Sequence, residues 1–187
     1  MRFFFNQRKA AQAAAYLVKL HGGQINLMAL LKLLYLADRA ALVQTGYTIT
    51  GDHMVSMPHG PVLSCIYDSA KWGKTEDDPW YEYISERTNH EVSLANTKLE
   101  VDELSEYEIE VLTSIHDDYG RLTPWELRTL THRLQEWQDP SGSSFPIDPI
   151  TILRNEGKSD VEIKELAHMA EEVLFLEELR SGPPKHV

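Results

Sequence analysis

The sequence predicts a mainly α fold, a compact helical domain of about seven helices with one small antiparallel β-hairpin. Apolar residues recur at intervals of three and four through most of the chain, which is the spacing of a helix face packed on a core. Residues 27–43 are apolar on nearly every side, so this helix is expected to lie at the centre of the domain. Residues that start and stop helices flank most of the periodic segments.

The bulk properties are typical of a globular protein that stays in solution. The chain has 187 residues, of which 42% are hydrophobic, and a net charge of −11. This acidic balance disfavours DNA binding, because phosphates are repelled. The single cysteine, Cys65, excludes an internal disulfide, and the N-terminal residues lack the pattern of a signal peptide. We therefore expect a cytoplasmic protein with no membrane segment.

The first half of the chain predicts three helices and the hairpin. An alanine-rich helix is expected over residues 7–20, and Asn26 is expected to cap the central helix. Pro61 is expected to begin the third helix, because proline at the first helical position needs no hydrogen-bond acceptor. Residues 80–86 and 91–94 are rich in aromatic and branched side chains, which favours a hairpin.

The second half predicts four more helices. Ser105 and Thr123 each precede a glutamate three residues on, the pattern of a capping box. A loop rich in proline and serine is expected over 139–149, followed by a short helix. Ser159 is expected to cap a last helix that runs to about residue 180. Two prolines forbid its continuation, so a disordered tail is expected from about 181.

Patterns of catalytic residues are weak. Asp52, His53 and His59 are close in sequence, which leaves a metal-dependent hydrolase open as an alternative. The sequence has no zinc-peptidase pattern, no G-x-S-x-G motif and no glycine-rich phosphate loop. Ser64 and Cys65 lie in a predicted helix, where packing is the favoured role for the thiol. We therefore expect no enzymatic activity, no catalytic residues, no metal site and no cofactor.

Three blocks of residues carry a family resemblance. The first is residues 32–37, Lys-Leu-Leu-Tyr-Leu-Ala, followed by Gly46. The second is Gly-Pro-Val at 60–62, followed by Ile-Tyr at 66–67. The third contains Leu127, then Thr-His at 131–132, then Trp137. In this order and spacing the sequence resembles the Panacea domain of SocA-like antitoxins, which is also seen in phage-associated proteins.

The resemblance implies an antitoxin of a toxin–antitoxin system. Members neutralise a cognate protein toxin by direct binding, and one branch acts as an adaptor that delivers its toxin to a ClpXP-type protease. The resemblance implies an antitoxin domain over residues 1–140, which leaves 141–187 as a helical extension packed on it. Self-association into a homo-oligomer is left open.

A partner-binding surface is expected where the second and third blocks meet. The two prolines and Gly60 make the segment before Val62 stiff and sterically open, and partly exposed aromatic residues favour protein binding. An alternative for His132 and Trp137 is that they hold the two halves of the core together. The predicted surface consists of His59, Gly60, Pro61, Thr131, His132 and Trp137.

Overall fold

The computed structural model of the protein describes residues 1–72, 78–96 and 98–181. The fold in these ranges is mainly α, as predicted, with eight helices. The helices are α1 (Gln7–Leu20), α2 (Leu27–Thr45), α3 (Ser64–Trp72), α4 (Trp80–Tyr83), α5 (Glu106–Tyr119), α6 (Pro124–Thr131), α7 (Pro149–Asn155) and α8 (Asp160–Ser181). In these ranges every helix is too short or too polar to cross a membrane.

Helix α2 is the centre of the core, as its apolar sequence predicts. It packs against α1, α5, α6 and α7, and most of its side chains are buried. Asn26 caps its start, because the side-chain oxygen accepts hydrogen bonds from the backbone N–H groups of Met28 and Ala29. Gly46 ends it in the left-handed conformation, with φ of 82°. Buried side chains on all faces of α2 make it the structural reference for the candidate site.

Within the described ranges, five short strands form two small antiparallel sheets. Strand β1 (Gln24–Asn26) pairs with β4 (Glu91–Ser93). Strand β2 (Met54–Ser56) lies between β3 (Val62–Leu63) and β5 (Phe145–Pro146). The second sheet fixes both ends of the loop that contains His59 and Gly60, because that loop joins β2 to β3.

The third helix begins at Ser64, so the prediction of a start at Pro61 is wrong. Val62 and Leu63 pair with β2 before the helix begins, and this pairing takes their backbone groups. The start of α3 is capped from a distant point in the sequence. The buried Asp52 carboxylate accepts hydrogen bonds from the N–H groups of Cys65 at 3.0 Å and Ile66 at 2.9 Å.

The hairpin predicted at residues 80–94 is wrong in its first half. Residues Trp80–Tyr83 form the short helix α4, in which the Trp80 side chain is buried. The second half does form a strand, β4, but it pairs with β1 next to α2. Two isolated bridges, Ile84 with Leu94 and Thr88 with Glu91, are what remains of the predicted pairing. Tertiary packing of the aromatic residues therefore outweighs their local preference for strands.

The helices of the second half begin where their capping residues predict. Ser105 and Thr123 both form complete capping boxes, and Asp148 caps α7. The hydroxyl and backbone N–H of Ser159 both donate to Glu162 in the first turn of α8. The disordered tail that the sequence predicts lies almost entirely outside the described residues.

Candidate functional site

The loop between β2 and β3 packs directly on the end of α6. Gly60 has a φ of 91°, and a Cβ atom placed on it would lie 2.7 Å from Thr131 Oγ1. The same Cβ would lie 3.0 Å from His132 Cδ2 and 3.1 Å from Lys32 Nζ. Only glycine tolerates both this conformation and these three neighbours. The residues that the sequence assigned to two separate blocks therefore meet at one point.

Trp137 joins the same surface from the segment after α6. Its indole N–H donates to the carbonyl of Met57 at 3.1 Å, so it is tied to the start of the loop. The imidazole of His132 stacks on Trp137, with ring centroids 3.8 Å apart and an angle of 17° between the planes. Both side chains are half-buried. They connect the loop to the C-terminal end of α6 and also reach the surface.

His59 stands at the exposed tip of this loop. Its ring lies edge-on to Trp125 in the first turn of α6, with centroids 6.2 Å apart. The Trp125 side chain is 64% exposed, although it is large and apolar. Sequence reasoning missed Trp125 as a site residue, because its position after Pro124 identified only a helix start.

Lys32 lies beneath the loop and was also missed as a site residue. Its side chain is 1% exposed, and its ammonium donates to the carbonyl of Pro61 at 2.7 Å. Burial, together with the positive charge of Arg128, lowers the pKa of Lys32 to about 7. The available signal in the sequence was a lysine in the middle of an apolar run, which is rare in a buried helix.

Arg128 completes a group of three basic side chains at this point. We call Lys32, Arg128 and His132 the Lys32 cluster. Nε of Arg128 and Nε2 of His132 are buried without a hydrogen-bond partner among the described residues. Burial lowers the pKa of His132, and the charges of Arg128 and Lys32 lower it further. Like charges thus lie close together in a partly desolvated place.

The segment that carries His132 and Trp137 is held on α2 by a buried carboxylate. Glu136 is 4% exposed and accepts hydrogen bonds from Tyr35 Oη at 3.0 Å and Arg39 Nε at 2.6 Å. Arg39 also donates to Glu156 just after α7 at 2.5 Å. This network fixes residues 132–138 relative to α2 and α7, so the candidate site is built on a rigid frame.

The alternative metal site at Asp52, His53 and His59 is not formed. The Asp52 carboxylate is committed to the start of α3, whereas His53 and His59 are exposed. The part of the chain that the structure describes contains no group of three or more His, Cys, Asp or Glu residues able to hold a metal ion. Burial and the neighbouring Asp52 charge raise the pKa of Cys65 to about 12, which makes a thiolate nucleophile unfavourable there.

All six residues of the predicted surface therefore lie around one loop. Gly60 and Thr131 are buried at its base, whereas His59 is exposed at its tip. The geometry allows two roles for His132 and Trp137, since they bridge the loop to α6 and are partly accessible.

Comparison with protein families places much of the candidate site inside a known domain. The model of the family described as antitoxin SocA-like, Panacea domain, matches residues 30–138. This range contains every residue of the predicted surface and of the Lys32 cluster. Comparisons with curated proteins and with solved structures gave no match.

Proposed function

We propose, since this chain belongs to the family of SocA-like antitoxins with a Panacea domain, that it is the antitoxin of a toxin–antitoxin pair. It neutralises a cognate protein toxin by direct binding in the cytoplasm and has no enzymatic activity of its own. The observation that carries this proposal is the family match, which spans more than half of the chain.

The surface around Gly60 is proposed as the toxin-binding site. Trp125 and His59 are exposed side by side, and the half-buried Trp137 is hydrogen-bonded to the start of the loop from the segment after α6. Tryptophan residues in such positions are frequent hot spots of protein interfaces. The loop is fixed by β2, β3 and Trp137, so little conformational entropy is lost when a partner binds.

We also propose that residues 141–187 are an extension packed on an antitoxin domain of residues 1–140. Support comes from α7, which contacts α2, and from Ile163 of α8, which is buried. Leu166 of α8 lies against Gly46, where a Cβ atom would be 2.5 Å from Leu166 Cδ2. The extension therefore covers the C-terminal end of α2.

The proposal is tested by co-expression with the product of the adjacent gene. We expect that product to arrest growth when expressed alone, and we expect growth and a co-purifying complex when both proteins are present. Growth arrest that persists in the presence of this chain, without a complex, would overturn the proposal.

Two exposed tryptophans provide a matched pair of variants for locating the site. Trp125→Ala is expected to weaken the complex by about tenfold or more, because it removes an exposed aromatic at the proposed surface. Trp72→Ala removes a tryptophan that is 74% exposed on α3 and is expected to leave affinity unchanged. Equal effects of the two substitutions on affinity would show that the toxin does not bind at the surface around Gly60.

The adaptor alternative and simple binding predict different amounts of toxin in the cell. A chain that delivers its toxin to a ClpXP-type protease lowers toxin abundance, and this decrease disappears when the protease is deleted. Simple binding leaves toxin abundance constant in both strains. Immunoblots of the toxin after protein synthesis is stopped distinguish the two mechanisms.

A further inference from the structure

The Lys32 cluster brings three basic side chains together inside an acidic protein. The chain has a net charge of −11, yet none of the ion pairs among the described residues involves Lys32 or Arg128. Lys32 Nζ and the His132 ring both lie against Gly60. Besides Arg128 and Lys32, the titratable groups that act on His132 are Asp139 and His59, which are both exposed.

The donors of the cluster are incompletely used. The Lys32 ammonium has three N–H groups, and it donates to the carbonyl of Pro61. Nε of Arg128 and Nε2 of His132 are the buried side-chain nitrogens without a partner in the described ranges. Buried polar side-chain atoms are nearly always satisfied, so two unpaired nitrogens next to a buried lysine require an explanation.

An acceptor with negative charge would pair with the partly exposed Arg128 and His132 side chains and act through its charge on Lys32 beneath the loop. A carboxylate accepts up to four hydrogen bonds, and its planar shape matches a guanidinium group. Its charge would also offset the repulsion between Lys32 and Arg128. Lys32 is sealed beneath the loop, but Arg128 and His132 are half-buried, so the cluster is approached through them.

The residues around the Lys32 cluster favour the carboxylate of a protein side chain over a polyanion. Exposed Trp125 and half-buried Trp137 flank the approach and suit a polypeptide surface. The overall negative charge repels polyanions such as nucleic acids, whereas one acidic side chain on a larger partner is tolerated.

We propose that the Lys32 cluster is the receptor for a single aspartate or glutamate side chain of the bound partner protein. This inference rests on the proposed antitoxin function for the identity of the partner, but the carboxylate site itself is testable without one. It assigns a function to a lysine, an arginine and a histidine whose polar groups are only partly paired by the described residues.

The first experiment uses acetate as the probe and the isolated chain of residues 1–187. Histidine pKa values are measured by NMR in sodium chloride and in sodium acetate at the same ionic strength. We expect acetate to raise the pKa of His132, because a bound carboxylate stabilises the imidazolium. Exposed His53 serves as the internal reference and is expected to titrate identically in both salts.

Arg128→Gln removes one charge of the cluster, and Arg133→Gln removes an exposed arginine nearby as the matched control. The acetate effect on His132 is expected to disappear in Arg128→Gln and to persist in Arg133→Gln. No rise in the His132 pKa, an equal rise for His53, or an effect that survives Arg128→Gln would each overturn the proposed site.

The second experiment measures binding of the co-purifying partner. Arg128→Gln is expected to weaken the complex by about thirtyfold, as for removal of one member of a desolvated charge pair, and Arg133→Gln to leave it unchanged. If acetate binds but the partner affinity is unaffected by Arg128→Gln, the partner carboxylate is refuted while the antitoxin proposal stands. If no partner is found, the acetate result still decides whether the carboxylate site exists.

Discussion

Two buried ionisable side chains on α2 differ in how completely their hydrogen bonds are satisfied. Asp38 is fully buried, and its carboxylate accepts hydrogen bonds from the N–H groups of Ile49 and Thr50 and from the Thr50 hydroxyl. Lys32 is buried less than two turns earlier, where it has one carbonyl acceptor and a like-charged neighbour in Arg128. The first arrangement secures the connection after α2. The second leaves polar groups available to a ligand.

The other buried carboxylates follow the Asp38 pattern. Asp52 accepts from the start of α3, and Glu136 accepts from Tyr35 and Arg39. In the described ranges the two unpaired buried side-chain nitrogens belong to the Lys32 cluster. Structural sites in proteins have their polar groups satisfied, whereas binding sites often do not. The contrast therefore separates groups that maintain the fold from groups that we assign to binding.

The largest effect is expected at the satisfied site. Asp38→Ala removes the acceptor for two buried N–H groups and for the Thr50 hydroxyl, so the free energy of unfolding should fall by about 3–5 kcal/mol. Urea denaturation followed by circular dichroism measures the loss. Asp118→Ala on the exposed side of α5 is the control and should change stability by less than about 0.5 kcal/mol. A similarly small loss for Asp38→Ala would show that the buried hydrogen bonds of Asp38 contribute little to stability and would contradict the contrast with Lys32.

The second effect tests how closely the loop packs on the Lys32 cluster. Gly60→Ala combines a φ of 91° with the contacts to Thr131 and Lys32, and should lower the free energy of unfolding by about 3 kcal/mol. Gly142 has a φ of 92° but nothing within 4 Å of its Cβ position. Gly142→Ala should therefore cost about 1 kcal/mol, from the backbone conformation alone. Denaturation of both variants gives the packing contribution as the difference, and equal losses would show that the loop is free to move away.

The third effect is a pH dependence that belongs to Lys32. Burial lowers its pKa to about 7 in the folded protein from 10.5, so the unfolded chain binds more protons between these values. The contribution of Lys32 to the free energy of unfolding therefore increases as pH rises from 7, by at most about 1.4 kcal/mol per pH unit. Lys32→Met lacks this contribution and should be about as stable as the wild type at pH 7 or more so.

The measurement is the difference in unfolding free energy between wild type and Lys32→Met at pH 7 and pH 9. The unfolding free energy of the wild type is expected to increase relative to that of Lys32→Met as pH rises. A difference that stays constant would show that Lys32 keeps an ordinary pKa and is not held in an unfavourable environment.

The smallest effect concerns Trp137. Trp137→Phe removes the hydrogen bond to the Met57 carbonyl but keeps an aromatic ring against His132, so it should lower stability by about 1 kcal/mol. Trp72→Phe removes an exposed indole hydrogen bond to Asp68 and should change stability by less than about 0.5 kcal/mol. Thermal unfolding of the two variants compares them directly. A larger loss at Trp72 would contradict the assignment of Trp137 as the anchor of the loop.

Local sequence signals predicted the helices because helix formation depends on nearby residues. Asn26, Ser105 and Thr123 each satisfy backbone N–H groups within three residues of themselves, so the sequence contains the whole interaction. The burial of α2 was also predictable, because its apolar residues favour burial regardless of which elements pack on them. Prediction failed at Pro61, where pairing of residues 62–63 with the neighbouring strand β2 delays the helix, and in residues 80–86, where α4 packs on the distant helix α1.

The candidate site divides in the same way. The motif residues at 59–61 and 131–137 were predicted to form one surface, and the structure brings them together. Arg128 and Trp125 were not found, because each is an ordinary residue of a short helix when considered alone. Lys32 appeared only as an interruption of an apolar run, and its acceptor, Pro61, is 29 residues away.

The sequence by itself determined the central helix, the capped starts of the helices around it and the family to which the chain belongs. All of these depend on residue types and short spacings, which a chain carries before it folds. Only the tertiary structure decided that Asp38 is satisfied and that the Lys32 cluster is not. Hydrogen-bond satisfaction is set by atoms within about 3.5 Å in space. At Asp38 and Lys32 the partners lie 11 to 29 residues away in sequence, so short spacings do not reveal them.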